Sequence, residues 1–271
     1  MRKIGQGDKS EVFELPDGRI LKLFVPHFAS LAVVEAEIST MLARAGVCVP
    51  TVDEMLEIDG RPGIVFGNLQ AGRTLSSEVR AKPWRIVPAA RALAALHAAV
   101  HERVSTELPS QRERLQQEIR SSDAVSDETR RAALDTLAAL PDADTVCHND
   151  IHMLNVIAHP GGSMLIDWVL ATRGNSLADL AGALLQLRFG EQPRSFASKA
   201  ALETGRAVFW RVYLRRYRQL RPFDEHELRR WELPVAVALA GRRAGRMRHQ
   251  LVQQIDQLVE TRRRRHAEVR S

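Results

Sequence analysis

The chain is poor in the residues and segments that mark several protein classes. It has 2 cysteines in 271 residues, Cys48 and Cys147, which form neither a metal-spaced cluster nor a disulfide framework. No apolar run approaches the roughly 18–20 residues of a membrane-spanning helix, and the first nine residues have no apolar stretch behind their positive charges. We therefore expect a cytoplasmic protein with no secretory signal and no membrane partner.

Positive charge is concentrated in the last third of the chain. The net charge is +6, and residues 176–271 hold 20 Arg and Lys against 10 Asp and Glu. A basic region of this kind can indicate an anionic partner, including nucleic acid. Its charges alternate with apolar residues at helical spacing, which favours the solvated faces of ordinary helices. We prefer the second interpretation and expect no nucleic-acid partner.

The first seventy residues predict a small antiparallel sheet with one helix. Short apolar or β-branched runs lie on either side of two turns, one at residues 16–18 and one at residues 59–62. The runs are 11–15, 19–24, 52–58 and 63–66. Between the two pairs, apolar residues recur at three-to-four spacing, with Ser30 placed to cap a helix and Gly46 placed to end it. The predicted order is strand, strand, helix, strand, strand.

From Pro83 onward the sequence is mostly helical. Apolar residues recur at helical spacing in 89–100, 111–120, 127–140, 177–188 and several segments between residues 197 and 268. One island differs, because the short apolar runs 156–157 and 164–166 predict a hairpin. We predict a β-rich domain over residues 1–69 and an α-rich domain over residues 70–271.

The residues most indicative of chemistry lie in this island. Residues 148–155 read HNDIHMLN, and Asp167 follows the second strand of the predicted hairpin. The hairpin would bring Asp150, Asn155 and Asp167 towards one another. A carboxylate and an amide oxygen suit Mg²⁺ and its phosphate ligands, and the other carboxylate could face a hydroxyl nucleophile. Either Asp alone could equally be a loop cap, whereas the whole set favours a phosphate site.

This pattern resembles the kinase-like aminoglycoside phosphotransferase and choline kinase superfamily. Its signature is His-x-Asp, then Asn five residues later, then a strand ending in Ile-Asp-Trp or Ile-Asp-Phe, as in His148, Asp150, Asn155 and residues 166–168. Residues 173–181 are similar to the aminoglycoside-type members, and residues 146–150 to the choline and ethanolamine kinases. The resemblance extends from the first glycine loop to about residue 187. Residues 153–154 are Met-Leu where many relatives have Pro-Gly, which changes the backbone but removes no ligand.

The resemblance implies an α+β, bilobal protein-kinase-like fold. Its N-lobe would be a small antiparallel β-sheet with one helix, and its C-lobe would be larger and mostly helical. It further implies transfer of the γ-phosphate of ATP or GTP, with Mg²⁺, to a hydroxyl group. In that reaction Asp150 would orient the hydroxyl and take its proton, while Asn155 and Asp167 would hold the metal.

The resemblance also assigns a nucleotide site to the first seventy residues. Lys22, one of only 5 lysines, lies in an apolar strand and would reach the α- and β-phosphates. Its carboxylate partner would be Glu35, with Glu37 as second choice. Strand alternation could instead place Lys22 on an exposed face. The remaining nucleotide contacts would come from a glycine-rich turn and from the connector between lobes, namely Gly5, Gly7, Ser10, Phe66, Asn68 and Leu69.

Several residues near the signature allow more than one interpretation. The glycine-rich turn lacks the third glycine of protein kinases and could be a plain hairpin turn. His148 and His152 could be general bases, but we interpret them as fixing the loop by hydrogen bonds. We expect Asp179 to brace the same loop and Cys147 to pack as a small apolar group.

The sequence does not identify the acceptor molecule. A polycationic aminoglycoside needs carboxylates, which are sparse in the basic region, and a choline-type acceptor needs an aromatic box, for which 2 tyrosines and 4 tryptophans are a poor supply. A neutral or anionic hydroxylated small molecule fits the charge better, as the substrate of an antibiotic-resistance or metabolite kinase. The alternatives are a nucleotide-binding scaffold and a protein-kinase-like factor whose basic helices bind an anionic partner.

Overall fold

The structure, a computed structural model, describes residues 1–67, 69, 72–159, 162–190 and 199–270. Within those residues the chain begins with a five-stranded antiparallel sheet of order β1-β2-β3-β5-β4. The strands are β1 (Arg2–Gln6), β2 (Ser10–Glu14), β3 (Ile20–Phe24), β4 (Val52–Ile58) and β5 (Arg61–Phe66). One helix, α1 (Ser30–Arg44), packs on the sheet. The small sheet with one helix is confirmed.

Strand β1 is an addition to the predicted order. Four of its five residues are exposed, so it has no apolar alternation that would reveal a strand in the sequence. It lies at the edge of the sheet and pairs only with β2 in the described part of the chain. Burial therefore gives no signal for it, and pairing with β2 alone defines it.

The predicted turn between β4 and β5 follows from local chemistry. Asp59 and Gly60 both have positive φ angles, 51° and 73°. Two consecutive residues of this conformation form the turn whose twist matches an antiparallel hairpin. The strands pair in register from Ile58 with Arg61 to Glu54 with Val65.

The predicted cap of α1 is wrong and its predicted end is confirmed. Ser30 makes no capping bond, because a single turn of 3-10 helix at Pro26–Phe28 leads into α1 through Ala29, which is already helical. At the other end Gly46 has a φ of 73° and donates to the Ala43 carbonyl at 3.1 Å. This left-handed glycine closes the helix in the common C-terminal motif.

The rest of the described chain is mostly helical, as predicted. Its helices are α2 (Leu75–Ala81), α3 (Ile86–Val100), α4 (Gln111–Ser121), α5 (Asp127–Ala138), α6 (Ser176–Phe189), α7 (Lys199–Leu220), α8 (Glu225–Arg242) and α9 (Gly245–Arg270). Helix α3 packs along α7, and α6 and α9 pack on α8. Residues 233–240 of α8 are buried on every side, which explains their unbroken apolar run. Among the described helices, none is long and apolar enough to cross a bilayer.

Two short strand pairs frame the signature residues. Strands β6 (Thr145–Cys147) and β9 (Thr172–Gly174) pair, and so do β7 (Val156–His159) and β8 (Gly162–Leu165), the predicted hairpin. The loop of residues 148–155 therefore runs from β6 to β7, and Asp167 follows β8. Pro160 and Gly161, which the sequence predicts between the two strands, lie outside the described residues.

The end of α1 gives a stability test. Gly46→Ala should lower the free energy of unfolding by about 1–2 kcal/mol, because an L side chain is strained at this φ. Gly182→Ala is the matched control, since Gly182 lies inside α6 with ordinary φ and its added Cβ would meet only Val235 at 3.6 Å. Denaturant unfolding of both variants measures the difference. An unchanged stability for Gly46→Ala would contradict this account of the helix end.

Candidate active site

Lys22 joins the sheet, α1 and the loop after β8. Its ammonium lies 2.6 Å from a carboxylate oxygen of Glu35 and 2.9 Å from Oδ1 of Asp167. Ile20 and Phe24, on the same face of β3, belong to the apolar cluster between the sheet and α1. Lys22 therefore points inward, and the alternative of an exposed face is wrong.

The charges of Lys22, Glu35 and Asp167 shift one another's pKa values. Burial lowers the pKa of Lys22, but the carboxylates of Glu35 and Asp167 outweigh it and raise that pKa above its usual value. Burial likewise opposes ionisation of Asp167, yet the Lys22 ammonium holds its pKa below the usual value. Burial dominates at Glu35, whose pKa is raised. The alternative partner, Glu37, is exposed.

The backbone conformation of Asp167 directs its side chain towards Lys22. Its φ and ψ of 64° and 61° are left-handed, and a turn of 3-10 helix, Trp168–Leu170, follows directly. An Asp tolerates this conformation better than most residues, but it still costs about 1 kcal/mol or more. The indole of Trp168 is buried and donates to the Leu165 carbonyl at 2.9 Å, which fixes the turn.

Asp150 and Asn155 lie together on the loop between β6 and β7. The Asn155 amide nitrogen donates to the Asp150 carbonyl at 3.0 Å, so the oxygen is the atom of this amide that can bind a cation. Burial favours the neutral acid at Asp150, but His152 and Arg243 hold its pKa well below the usual range. The negative charge of Asp150 in turn opposes ionisation of Asp167.

His148 fixes this loop. One ring nitrogen contacts the Ile166 carbonyl at 3.1 Å, and the other accepts from the Asp150 amide at 3.3 Å. The ring is buried against Trp168, and burial lowers the pKa of His148. A neutral imidazole with both nitrogens engaged by backbone groups agrees with the expected loop-fixing role. His152 lies beside Asp150, with its Nε2 3.5 Å from Oδ2.

Asp179 braces the loop, as expected. Its two carboxylate oxygens accept from the backbone amides of His148 at 2.6 Å and Asn149 at 2.9 Å. Asn149 has a φ of 62°, and its side chain bonds to Thr172 and Gln111, which holds the turn in this conformation. The backbone immediately before Asp150 is therefore held in one conformation.

Asp179 also belongs to a buried network of polar side chains that the sequence does not reveal. His97, on α3, and His101, which directly follows α3, bring Nε2 to 3.3 and 3.2 Å from Oδ2 of Asp179. Their Nδ1 atoms contact the hydroxyls of Tyr213 and Tyr217 on α7, at 2.5 and 2.6 Å. The matched four-residue spacings were visible in the sequence, but nothing there indicated that α3 and α7 face each other.

The structure places most of the other predicted residues around the sheet. Gly5 lies in β1, and the amide of Gly7 donates to the Ser10 carbonyl at 2.9 Å to close the turn into β2. Phe66 and Leu69 are buried at the end of the sheet, in the cluster shared with α1. Asn68 lies outside the described residues. Cys147 is buried, with a carbonyl contact at 3.4 Å, as expected of a small apolar group.

Asp150 also has a charged partner that the sequence does not reveal. Arg243, just after α8, donates from Nη2 to Oδ1 of Asp150 at 2.7 Å and to Gln186 at 2.7 Å. Nothing in the sequence distinguishes it from the many other arginines of this region.

The donor set near the loop fits a hard divalent cation. Asp167 offers a carboxylate, and Asn155 offers an amide oxygen that no described hydrogen bond uses. Oxygen ligands of this kind suit Mg²⁺, which keeps part of its water shell and shares phosphate oxygens. Among the described residues, one group of three or more His, Cys, Asp and Glu side chains has its ligand atoms within 4.8 Å of one another, namely His97, His101 and Asp179. The carboxylate of this group already accepts from two backbone amides of the loop.

A small sheet that supplies a Lys–Glu pair, joined to a helical region that supplies the loops of Asp150 and Asp167, is the architecture of a kinase-like phosphotransferase. The sequence profile described as the phosphotransferase enzyme family (APH) matches residues 2–223, and the chain belongs to this family. Among curated proteins, none matches the sequence significantly.

Solved structures share this fold at low sequence identity. A thermostable mutant of aminoglycoside phosphotransferase APH(4)-Ia, in a ternary complex with ADP and hygromycin B, is 14% identical, with a TM-score of 0.65 over 95% of this chain and 92% of that chain. An aminoglycoside-3'-phosphotransferase of type VIII is 24% identical, with a TM-score of 0.56 over 86% and 90%. Amicoumacin kinase hAmiN, in complex with AMP-PNP, Ca²⁺ and Ami, is 15% identical, with a TM-score of 0.62 over 96% and 87%.

The network behind Asp179 makes stability depend on pH. Burial and the neighbouring His97 lower the pKa of His101 from 6.5 to about 4. Below pH 6.5 the unfolded chain therefore binds a proton at His101 that the folded protein does not, and the free energy of unfolding falls as the pH falls. At about 1.4 kcal/mol per pKa unit, this group removes roughly 3 kcal/mol between pH 6.5 and pH 4.

Denaturant unfolding between pH 4 and pH 7 measures this dependence. His101→Gln should flatten it, whereas His226→Gln, at an exposed position on α8, should leave it as in the wild type. An equally steep dependence in His101→Gln would show that another group is responsible.

Proposed function

We propose that the protein transfers the γ-phosphate of ATP or GTP to a hydroxyl group of a small molecule. The observation that carries this proposal is the contact of Lys22 with both Glu35 and Asp167, because it joins a cation for phosphates to the loop of the signature carboxylates. Residues 1–69 would bind the nucleotide and residues 70–271 the acceptor, in the cytoplasm.

In this proposal the residues of the sheet bind the nucleotide. Lys22 binds the α- and β-phosphates while Glu35 keeps its ammonium in place. The turn of Gly5, Gly7 and Ser10 covers the phosphates with backbone amides. Phe66, Asn68 and Leu69 contact the base. Both ATP and GTP fit this assignment, since backbone contacts to a purine need no particular side chain.

Asp150 acts on the acceptor. The hydroxyl oxygen forms a bond to the γ-phosphorus as the bond to the β-phosphate oxygen breaks, and the hydroxyl proton passes to Asp150. A carboxylate with so low a pKa is a weak base, so Asp150 chiefly orients the hydroxyl. It takes the proton late, when the forming O–P bond has made that proton acidic. Bound Mg²⁺, held by Asn155 and Asp167, would neutralise phosphate charge.

The structural relatives support nucleotide use and leave the acceptor open. hAmiN and APH(4)-Ia were solved with AMP-PNP and ADP, respectively. Several relatives are aminoglycoside phosphotransferases, and aminoglycosides are polycations, which weighs against a choice of acceptor from net charge alone. We keep the proposal of a neutral or anionic hydroxylated acceptor, because the residue beside Asp150 is an arginine.

Removing the Asp150 carboxylate tests the proposed chemistry. Asp150→Asn should lower phosphotransfer by about 100-fold or more while nucleotide affinity stays within a few-fold of wild type, since Asp150 acts on the acceptor. Asp144→Asn, an exposed position paired with Arg173, is the control and should retain activity. Turnover is measured as Mg²⁺-dependent ATP or GTP consumption with a panel of hydroxylated metabolites and antibiotics. Full activity in Asp150→Asn would remove it from the mechanism.

Asp167 gives a separate test of metal binding. Asp167→Asn should raise the Mg²⁺ concentration needed for nucleotide binding by about tenfold or more, because a charged ligand becomes neutral. Asp123→Asn, an exposed carboxylate paired with Arg248, should not change it. Titration of a fluorescent ATP analogue at several Mg²⁺ concentrations gives this value. Nucleotide binding without turnover in the wild type would instead favour a scaffold.

A further inference from the structure

Arg243 places a fixed positive charge on the carboxylate that faces the acceptor. Its Nη2 donates to Oδ1 of Asp150 and to Oε1 of Gln186, both at 2.7 Å. The Arg243 side chain is 31% exposed and that of Asp150 is 13% exposed, so the pair is largely shielded from water. A contact of this kind is screened much less by salt than a surface ion pair.

An acceptor hydroxyl must share Asp150 with this guanidinium. Arg243 engages Oδ1, and Nε2 of His152 lies 3.5 Å from Oδ2. Any acceptor whose hydroxyl bonds to Asp150 therefore brings its neighbouring substituents close to Arg243. An ammonium group there meets a like charge, whereas a carboxylate or phosphate meets an opposite one.

Two buried hydrogen-bond donors at the Arg243–Asp150 pair have no acceptor among the described residues. Nε of Arg243 and Nε2 of Gln186 are buried without a hydrogen-bond partner in the described part of the chain. Gln186 itself is 6% exposed. Buried donors without acceptors are costly, and an oxygen anion is the group that accepts several of them at once.

We propose that Arg243 determines acceptor specificity by binding an oxyanion group, a carboxylate or a phosphate, next to the hydroxyl that is phosphorylated. This inference rests on the proposed function and narrows its acceptor to anionic molecules. Arg243 keeps its bond to Oδ1 of Asp150 and offers its other N–H groups to the oxyanion. The bidentate geometry of a guanidinium suits both anions.

Four probes with one sugar skeleton test this proposal: D-glucuronate, D-glucose 6-phosphate, D-glucose and D-glucosamine. Calorimetric titration with AMP-PNP and Mg²⁺ present gives their dissociation constants for the wild type, Arg243→Gln, Arg243→Lys and Arg248→Gln. Arg248 pairs with Asp123 on the surface and is the control. We expect at least one anionic probe to bind the wild type about tenfold or more tightly than D-glucose and D-glucosamine. The two anions distinguish a carboxylate from a phosphate.

Arg243→Gln should erase this preference, Arg243→Lys should keep part of it, and Arg248→Gln should behave as the wild type. A wild type that binds the four probes alike, prefers the amine or binds none of them overturns the proposal. A preference that survives in Arg243→Gln overturns it too. So does an equal loss for charged and neutral probes, which would mean that Arg243 only positions Asp150. AMP-PNP binding in the same samples separates the two levels, because failure to bind nucleotide contradicts the proposed function itself.

Discussion

The buried carboxylate of Asp179 is the constraint on which the candidate site depends. Its oxygens accept hydrogen bonds from two backbone amides of the loop before Asp150, and the imidazoles of His97 and His101 lie next to the same carboxylate. The two amide bonds to this carboxylate are charge-assisted and offset the strain of Asn149, whose left-handed backbone turns the chain towards Asp150. The helices α3, α6 and α7 thus fix the position of a side chain that none of them carries.

The sequence predicts those parts of the fold in which neighbouring residues decide the conformation. The hairpin turn at Asp59 and Gly60 and the helix end at Gly46 are of this kind, because their φ angles depend on local chemistry. Lys22 was conspicuous as a rare lysine among apolar neighbours, and a buried cation needs a carboxylate partner. Ser30 failed as a cap because the turn before it, which starts at Pro26, was already helical.

What the sequence could not predict depends on contacts between distant segments. Strand β1 is exposed and exists through pairing, so it leaves no apolar period. The contacts of His97 with Tyr213 and of Arg243 with Asp150 join residues more than ninety positions apart. Helix packing creates these contacts, and no motif encodes it. The sequence shows an excess of positive charge in residues 176–271. Only the structure shows that Arg243 is the guanidinium beside Asp150.

The two cysteines differ in a way that is useful beyond the fold. Cys48 is exposed just after α1, whereas Cys147 is buried and its thiol has a pKa raised well above the usual value by burial. A maleimide dye would therefore label the native protein at a single site without any engineering, since only an accessible thiolate reacts quickly. That site lies on the connection from the helix of Glu35 to β4. A fluorophore there would report on movements of the nucleotide half of the molecule during turnover.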